Sequence, residues 1–446
     1  MAENKSTLTV VLTFALTLLG GCASTTRSLM PTPVLYEQPS VERLFGDLPQ
    51  ERRSSQIELL YITDRAPGDN AETTLAYGEN RARFLAFGTA VVELVPGLTW
   101  PELEQQSQLA ERSVDVNLEM GRIEELDRFP REPYALEVTP NGVTRARNVV
   151  AAHERSKAGF REALQRQLAQ SQNGEIMLYV HGFNETFATA AFTTAELCHF
   201  LGREHVCTFF TWPASVSGGF LTAYTRTTES AEYAVGHLTK TIRLIAQTPG
   251  VKSLQLLAHS RGTAVLLSAL RELAIQSIAA GFEPADILKI DNVVLMSPDI
   301  DTDVARQKIE LFGSDPDLIS RWSTERLPRL LKGRLTIYAS PTDRALLAST
   351  ILFRSHRRVG RLRPEDLPPA ARDYFSKWGN IDLIVYEGGA TDKFGHSYFT
   401  SNPNVSADLI QLIRYGRAPG ETRRSLVPIG AATWEFPERR TTAKRD

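Results

Sequence analysis

Cysteine is scarce in this chain, three residues in 446, and neither charge sign predominates: 50 Lys and Arg stand against 52 Asp and Glu, a formal net charge of -2. The first scarcity argues against a disulfide-stapled scaffold or a cysteine-rich metal site, so neither metal nor cofactor is expected. The second removes the basic field that nucleic-acid binding needs, and nucleic acid is not expected as a partner. Long apolar runs are missing too, apart from residues 8–19, which fall short of the ~20 residues that span a bilayer. Composition is otherwise even, 42% hydrophobic and 23% charged, which excludes a collagen-like or largely disordered chain. The length allows more than one domain, but the patterning below predicts one main domain.

What is present begins with Lys5, the apolar run at 8–19, then Leu19, Gly20, Gly21 and Cys22. That layout is a secretory signal over residues 1–21. The last four residues resemble the lipobox of bacterial lipoproteins, in which cleavage leaves a lipidated Cys22 as the first residue. The resemblance implies a membrane anchor of several acyl chains, each buried methylene contributing roughly 0.8 kcal/mol. Ala23 after the cysteine, rather than aspartate, implies the outer membrane, facing the periplasm. Cys198 and Cys207 remain; an oxidising envelope compartment allows them to pair, and they equally suit two buried thiols.

Residues 22–55 are rich in Ser, Thr, Pro and charge without sustained periodicity, which predicts a flexible tether. The folded part is expected over 56–446: a β-rich amino-terminal extension at 56–148, a core at 149–415 and a tail at 416–446. Within the extension, 57–62 and 84–95 read as strands. In the core, short apolar runs at 176–180, 206–211, 254–258, 293–296, 335–339 and 381–386 alternate with amphipathic stretches of helical length. Phe160, Leu164 and Leu168, for example, recur every four residues. Repeated βα units of this kind predict an α/β fold, a mostly parallel sheet with helices on both faces. Its reactive groups belong at the carboxyl ends of the strands.

The run at 254–258 leads into Ala258, His259, Ser260, Arg261 and Gly262, and then into a helical pattern. Strand, tight turn and helix make a nucleophile elbow of the G-x-S-x-G kind, with Ala258 in the first glycine position. The turn lifts the Ser260 hydroxyl toward a base and sets it at a helix amino terminus. A plain helix-capping serine is the competing reading. Another strand end carries His181, Gly182, Phe183 and Asn184, and a third carries Thr211, Trp212 and Pro213.

With these segments in this order, the chain resembles the α/β-hydrolase superfamily over roughly residues 57–414, and within it a little-characterised group of bacterial esterase- or lipase-like proteins. The resemblance implies a Ser, acid, His triad in that chain order. Only His356 and His396 follow the candidate acids. His356 sits among Arg354, Arg357 and Arg358, whereas His396 lies in a loop with Gly388, Gly389 and Gly395, and is preferred as base. Asp343 follows the run at 335–339 and is the expected acid; Asp299, after the preceding run, is the alternative. The backbone N–H groups of Phe183 and Arg261 are the expected oxyanion hole, with His181 structural. The implied activity is hydrolysis of esters or lipids in the cell envelope, the alternative being a non-catalytic scaffold or lipid-binding protein on the same fold.

Two further segments bear on substrate. Residues 215–228, rich in Gly, Ser and Thr, read as a mobile rim over the pocket. Arg354, Arg357, Arg358, Arg361 and Arg363 form either a solvated face or a basic collar for anionic headgroups.

Overall fold

The short runs assemble into one sheet of 12 strands in a computed structural model that describes residues 26–37, 43–46, 48–68, 77–214, 220–310, 327–353, 357–389 and 391–437. In chain order the elements are β1 (Thr26–Ser28), β2 (Gln56–Pro67), β3 (Tyr77–Val95), α1 (Trp100–Gln106), β4 (Asn117–Arg128), the hairpin β5 (Leu136–Thr139) and β6 (Gly142–Arg145), and α2 (Arg147–Leu168). Next come β7 (Glu175–Val180), α3 (Phe187–Phe200), β8 (Val206–Thr211), α4 (Phe220–Ala246), β9 (Ser253–His259), α5 (Gly262–Ala279), α6 (Pro284–Leu288) and β10 (Ile290–Met296). The chain continues through α7 (Thr302–Glu310), β11 (Leu335–Ala339), α8 (Arg344–Phe353), α9 (Pro369–Trp378), β12 (Ile381–Val385), α10 (Tyr398–Ser401) and α11 (Pro403–Ile413), and ends in β13 (Val427–Gly430) and β14 (Thr433–Glu435).

Across the sheet the strands run β1-β4-β3-β2-β8-β7-β9-β10-β11-β12-β14-β13. From β2 to β14 every neighbouring pair is parallel, with antiparallel pairs added at both ends. This is the expected α/β-hydrolase architecture.

Strand periodicity explains why both faces need helices. Along β7, Ile176, Leu178 and Val180 pack into one buried cluster with residues of α2, α4 and α5, while Met177 and Tyr179 pack into another with α3 and α11. Every side chain of β7 after Glu175 is buried, so neither face tolerates water. β7 lies between β8 and β9, so the chain leaves β7 toward one side of the sheet and returns at β9 on the other. A crevice opens at such a reversal, at the carboxyl ends of β7 and β9.

Three expectations are corrected. The tether is built into the fold from Thr26: β1 pairs with β4, the Met30 N–H donates to Glu196 Oε1 at 2.8 Å, and the Tyr36 hydroxyl donates to Phe200 O at 2.7 Å. Leu29, Met30, Leu44 and Phe45 are buried, too widely spaced to register as an element yet apolar enough to seal the sheet. The carboxy-terminal segment adds β14 beside β12, and Arg424 forms a buried bidentate pair with Asp408 at 2.9 and 3.1 Å. The rim is helical from Phe220 onward, because Tyr224, Thr227 and Ala231 bury at helical spacing despite a polar composition. Residues 215–219 lie outside the described residues, as do the signal-like run and Cys22. Among the described residues, no helix is long and apolar enough to cross a membrane.

Candidate active site

β9 ends at His259, and Ser260 turns the chain into α5 with a backbone φ of 51°. A serine in the left-handed region is strained, and the turn holds it there: its N–H donates to Met296 O at 2.9 Å and its carbonyl accepts from Asp299 N at 3.2 Å. The small residue after the turn is obligatory. A Cβ on Gly262 would lie 2.3 Å from His181 O, so α5 begins in direct contact with the end of β7. Ser260 is thereby held at the helix amino terminus, 6% exposed.

The candidate base, His396, lies in the loop after β12, three strands from β9. Asp392 accepts the backbone N–H groups of Phe394, His396 and Ser397 at 2.7–3.2 Å, an Asx-type turn that folds the loop back. The His396 carbonyl then accepts from Ser297 Oγ at 2.8 Å and from His259 Nε2 at 3.2 Å. The two imidazoles pack at 4.7 Å between centroids. Burial drives His259 well below the ordinary histidine range, with the neighbouring His396 acting in the same direction. It is a neutral donor that positions the His396 backbone.

Asp343 lies just past β11 and is fully buried. Its Oδ1 accepts Leu346 N at 2.9 Å, and its Oδ2 accepts His396 Nδ1 at 2.6 Å. Both oxygens are therefore committed, and the imidazole is held with its proton on Nδ1 and a lone pair on Nε2. Burial opposes protonation of His396, but the Asp343 charge and hydrogen bond outweigh it, and the pKa is raised. Ser260 Oγ makes no hydrogen bond to this ring among the described residues, a looseness common in unliganded sites, where the contact tightens on substrate. Asp299, the alternative acid, is engaged elsewhere: it accepts from Tyr224 Oη and, at 2.7 Å, from Ser349 Oγ, and pairs with Arg358 at 3.3 Å. The structure thus places Asp343 on the histidine. His356 lies outside the described residues.

The expected oxyanion loop faces the serine. A Cβ on Gly182 would sit 2.6 Å from Ser260 Cβ, so only glycine lets the two backbones approach. His181 holds the loop from behind: Trp212 N donates to its Nε2 at 3.1 Å, its Nδ1 donates to Gly182 O at 2.9 Å, and its ring stacks on Trp212. Burial and the charge of Arg65 keep it neutral. Arg65, at the end of β2, is a positioning residue that sequence reasoning missed. Its guanidinium donates to Glu185 O at 2.6 Å, Gly78 O at 3.1 Å and Thr211 Oγ1 at 2.8 Å. Burial lowers its pKa to about 10, leaving it charged at neutral pH. Asp392 was missed as well; its signal was an acid four residues before His396 with Gly395 between.

Cys198 on α3 and Cys207 on β8 form a disulfide, settling the alternatives left open by spacing. Among the described residues no cluster of His, Cys, Asp and Glu is arranged to hold a metal ion.

Residues 156–415 match the family described as an α/β hydrolase of unknown function, DUF900. The chain belongs to that family. The match includes the elbow, the acid, the histidine and the His-Gly-Phe-Asn loop, and begins within α2. Solved structures similar to this DUF900 protein include a predicted CIB-like hydrolase from Thermoplasma acidophilum, 11% identical over 55% of this chain and 88% of that one, at a TM-score of 0.30. Others are carboxyl esterase 2 from Tuber melanosporum, 16% identical over 55% and 77% at 0.28, and a lipase-esterase related protein from Clostridium acetobutylicum, 12% identical over 54% and 94% at 0.27. These similarities are too slight to argue from. A search of curated proteins finds no match.

Proposed function

We propose that this DUF900 protein is a serine hydrolase of carboxylic esters or lipids in the bacterial cell envelope, held to the membrane by a lipid on Cys22. The observation that carries the reading is the 2.6 Å contact between His396 Nδ1 and the fully buried Asp343, beside a serine fixed at positive φ on the elbow. Ser260 Oγ attacks the ester carbonyl while His396 Nε2 takes its proton. Asp343 stabilises the imidazolium that results. The oxyanion forms beside the Phe183 and Arg261 backbone, at the amino end of α5, where the helix dipole favours negative charge. His396 returns the proton to the leaving alcohol, and water then cleaves the acyl-enzyme through the same base. The Cys198–Cys207 disulfide suits an oxidising compartment, which supports the envelope assignment.

The test is hydrolysis of a panel of nitrophenyl esters by the purified full chain and by Ser260→Ala and His396→Ala. Turnover lost in both variants, with unchanged circular dichroism, is the expected result. A folded wild-type protein inert toward the whole panel would instead favour a binding protein built on the same fold.

A further inference from the structure

From Arg357 onward the arginine run is fixed next to the catalytic acid; Arg354 lies outside the described residues. Thr302 N donates to Arg357 O, Val359 N to Ile300 O, Gly360 N to Pro298 O and Ser340 N to Gly360 O, all at 2.8–3.0 Å. The segment is thus pinned between the carboxyl ends of β10 and β11. From this backbone Arg358 turns inward to Asp299, whereas Arg357, Arg361 and Arg363 join it in lining a cavity of about 440 Å³ that also includes Thr350 of α8. With Arg358 committed to Asp299, three arginines meet two carboxylates there, Glu365 and Asp366. Arg357 pairs with Asp366, and Arg363 reaches Glu365 at 3.7 Å with both side chains more than half exposed. Arg361 pairs with no carboxylate among the described residues: its Nε and Nη2 hold Pro341 O at 3.2 and 2.7 Å, two positions before Asp343. Burial lowers its pKa; the Asp343 charge opposes that, and repulsion from Arg363 and Arg357 adds to it. A concave site whose Arg361 is held by a carbonyl oxygen rather than an ion pair, beside the exposed Arg363, has guanidinium donors for an oxyanion.

The helix that supplies Thr350 to this cavity ends in an exposed aromatic ring. Phe353, its last residue, is 40% exposed and stacks beneath the Arg358 guanidinium, 4.8 Å from Cζ to the ring centroid. From Phe353 an aromatic row leads inward, to Tyr224 at 5.0 Å and on to Phe183 of the oxyanion loop at 5.1 Å. Charge and apolar surface lie side by side, and the apolar part continues to the reaction centre.

We propose that this region binds an anionic amphiphile, its headgroup among Arg357, Arg361 and Arg363 and its apolar chain along Phe353 toward Tyr224 and Phe183. The assignment deepens the hydrolase reading by naming the substrate class, and rests on that reading only for turnover. Binding is therefore measured by calorimetry in the Ser260→Ala full chain, with dihexanoyl phosphatidylglycerol, dihexanoyl phosphatidylcholine and inorganic phosphate as probes. The anionic lipid binds roughly tenfold more tightly than the zwitterionic one, the scale of one charge-assisted hydrogen bond. Adding Arg363→Gln, an exposed change that leaves the Pro341 contact intact, shrinks that ratio, and Arg361→Gln with Arg363→Gln abolishes it. Phe353→Ser weakens both lipids alike. Equal affinity for the two lipids, or a preference that survives the double arginine change in a protein of unaltered melting temperature, overturns the proposal. Inorganic phosphate binding as tightly as the anionic lipid overturns the amphiphile and leaves a free-oxyanion site. Because these readouts need no catalysis, an inactive wild-type enzyme and a failed headgroup site are told apart.

Discussion

Replacing Asp343 by Asn tests how much the buried carboxylate contributes. Leu346 N–H donates to one oxygen and His396 Nδ1–H to the other, so an amide cannot satisfy both donors. With its oxygen toward Leu346, the Asn NH2 faces Nδ1 and forces the imidazole proton onto Nε2, where the base must be free; with the amide flipped, two donors collide at Leu346. The charge is lost in either orientation. Two unit charges about 4 Å apart at an effective dielectric constant of about 20 interact by about 4 kcal/mol. At about 1.4 kcal/mol per decade that is about a thousandfold in kcat. The full value applies because Asp343 is 0% exposed. Stopped assays of a neutral nitrophenyl ester across pH measure both consequences. In the proposed mechanism the active base is deprotonated His396, so activity rises with pH through a midpoint above the ordinary histidine value; in Asp343→Asn the residual activity has its limb at lower pH, since the largest of the charges that raise the pKa is gone. A variant keeping more than half the wild-type kcat, or an unmoved limb, would refute the reasoning.

Gly182→Ala forces a methyl to within 2.6 Å of Ser260 Cβ and 3.1 Å of His259 O. The expected cost is about a hundredfold in kcat/KM, the scale of a misplacement near 1 Å, with the protein still folded by circular dichroism. His237 is clasped by Asp64 at 3.0 Å and Glu132 at 3.4 Å. Burial opposes its charging, yet the two carboxylates lift its pKa to about 9. A raised folded pKa stabilises fully below the unfolded value near 6.5 and the benefit is lost as pH rises through about 9, here ~3 kcal/mol; denaturant midpoints should fall between neutral pH and pH 9, and His237→Gln should flatten that fall. Reducing Cys198–Cys207, nine residues apart in sequence, should cost about 2–3 kcal/mol and lower the melting temperature by several degrees, with Cys198→Ser giving the same loss without reductant.

How much of this was legible follows from how local each signal is. The core strands were readable because residues such as Leu254, Leu256 and Leu257 are buried on both faces of a parallel sheet and need only be apolar and consecutive. The elbow was readable because strand, turn and helix are contiguous around Ser260. Asp343 and His396 required the chain order of a known fold, since the sequence does not contain the contact that joins them across 53 positions. What escaped was held by contacts between distant segments. Tyr36 and Met30 anchor to α3, Arg424 anchors to Asp408, and each is isolated in sequence. Helix α4 hid its first turns because Thr227 and Thr228 satisfy themselves on the backbone carbonyls of Ala223 and Tyr224, at 2.8 and 3.1 Å. Arg65 looked like a charge at a strand end; its role depends on three acceptors brought by other elements.

The most direct measurement is the intact mass of the folded full chain after exposure to a fluorophosphonate, followed by peptide mapping. A single adduct on Ser260, formed only while His396 and Asp343 are both intact, is the predicted result. An adduct on another residue, or equal labelling of wild type and Ser260→Ala, would contradict the assignment of the elbow serine as the nucleophile.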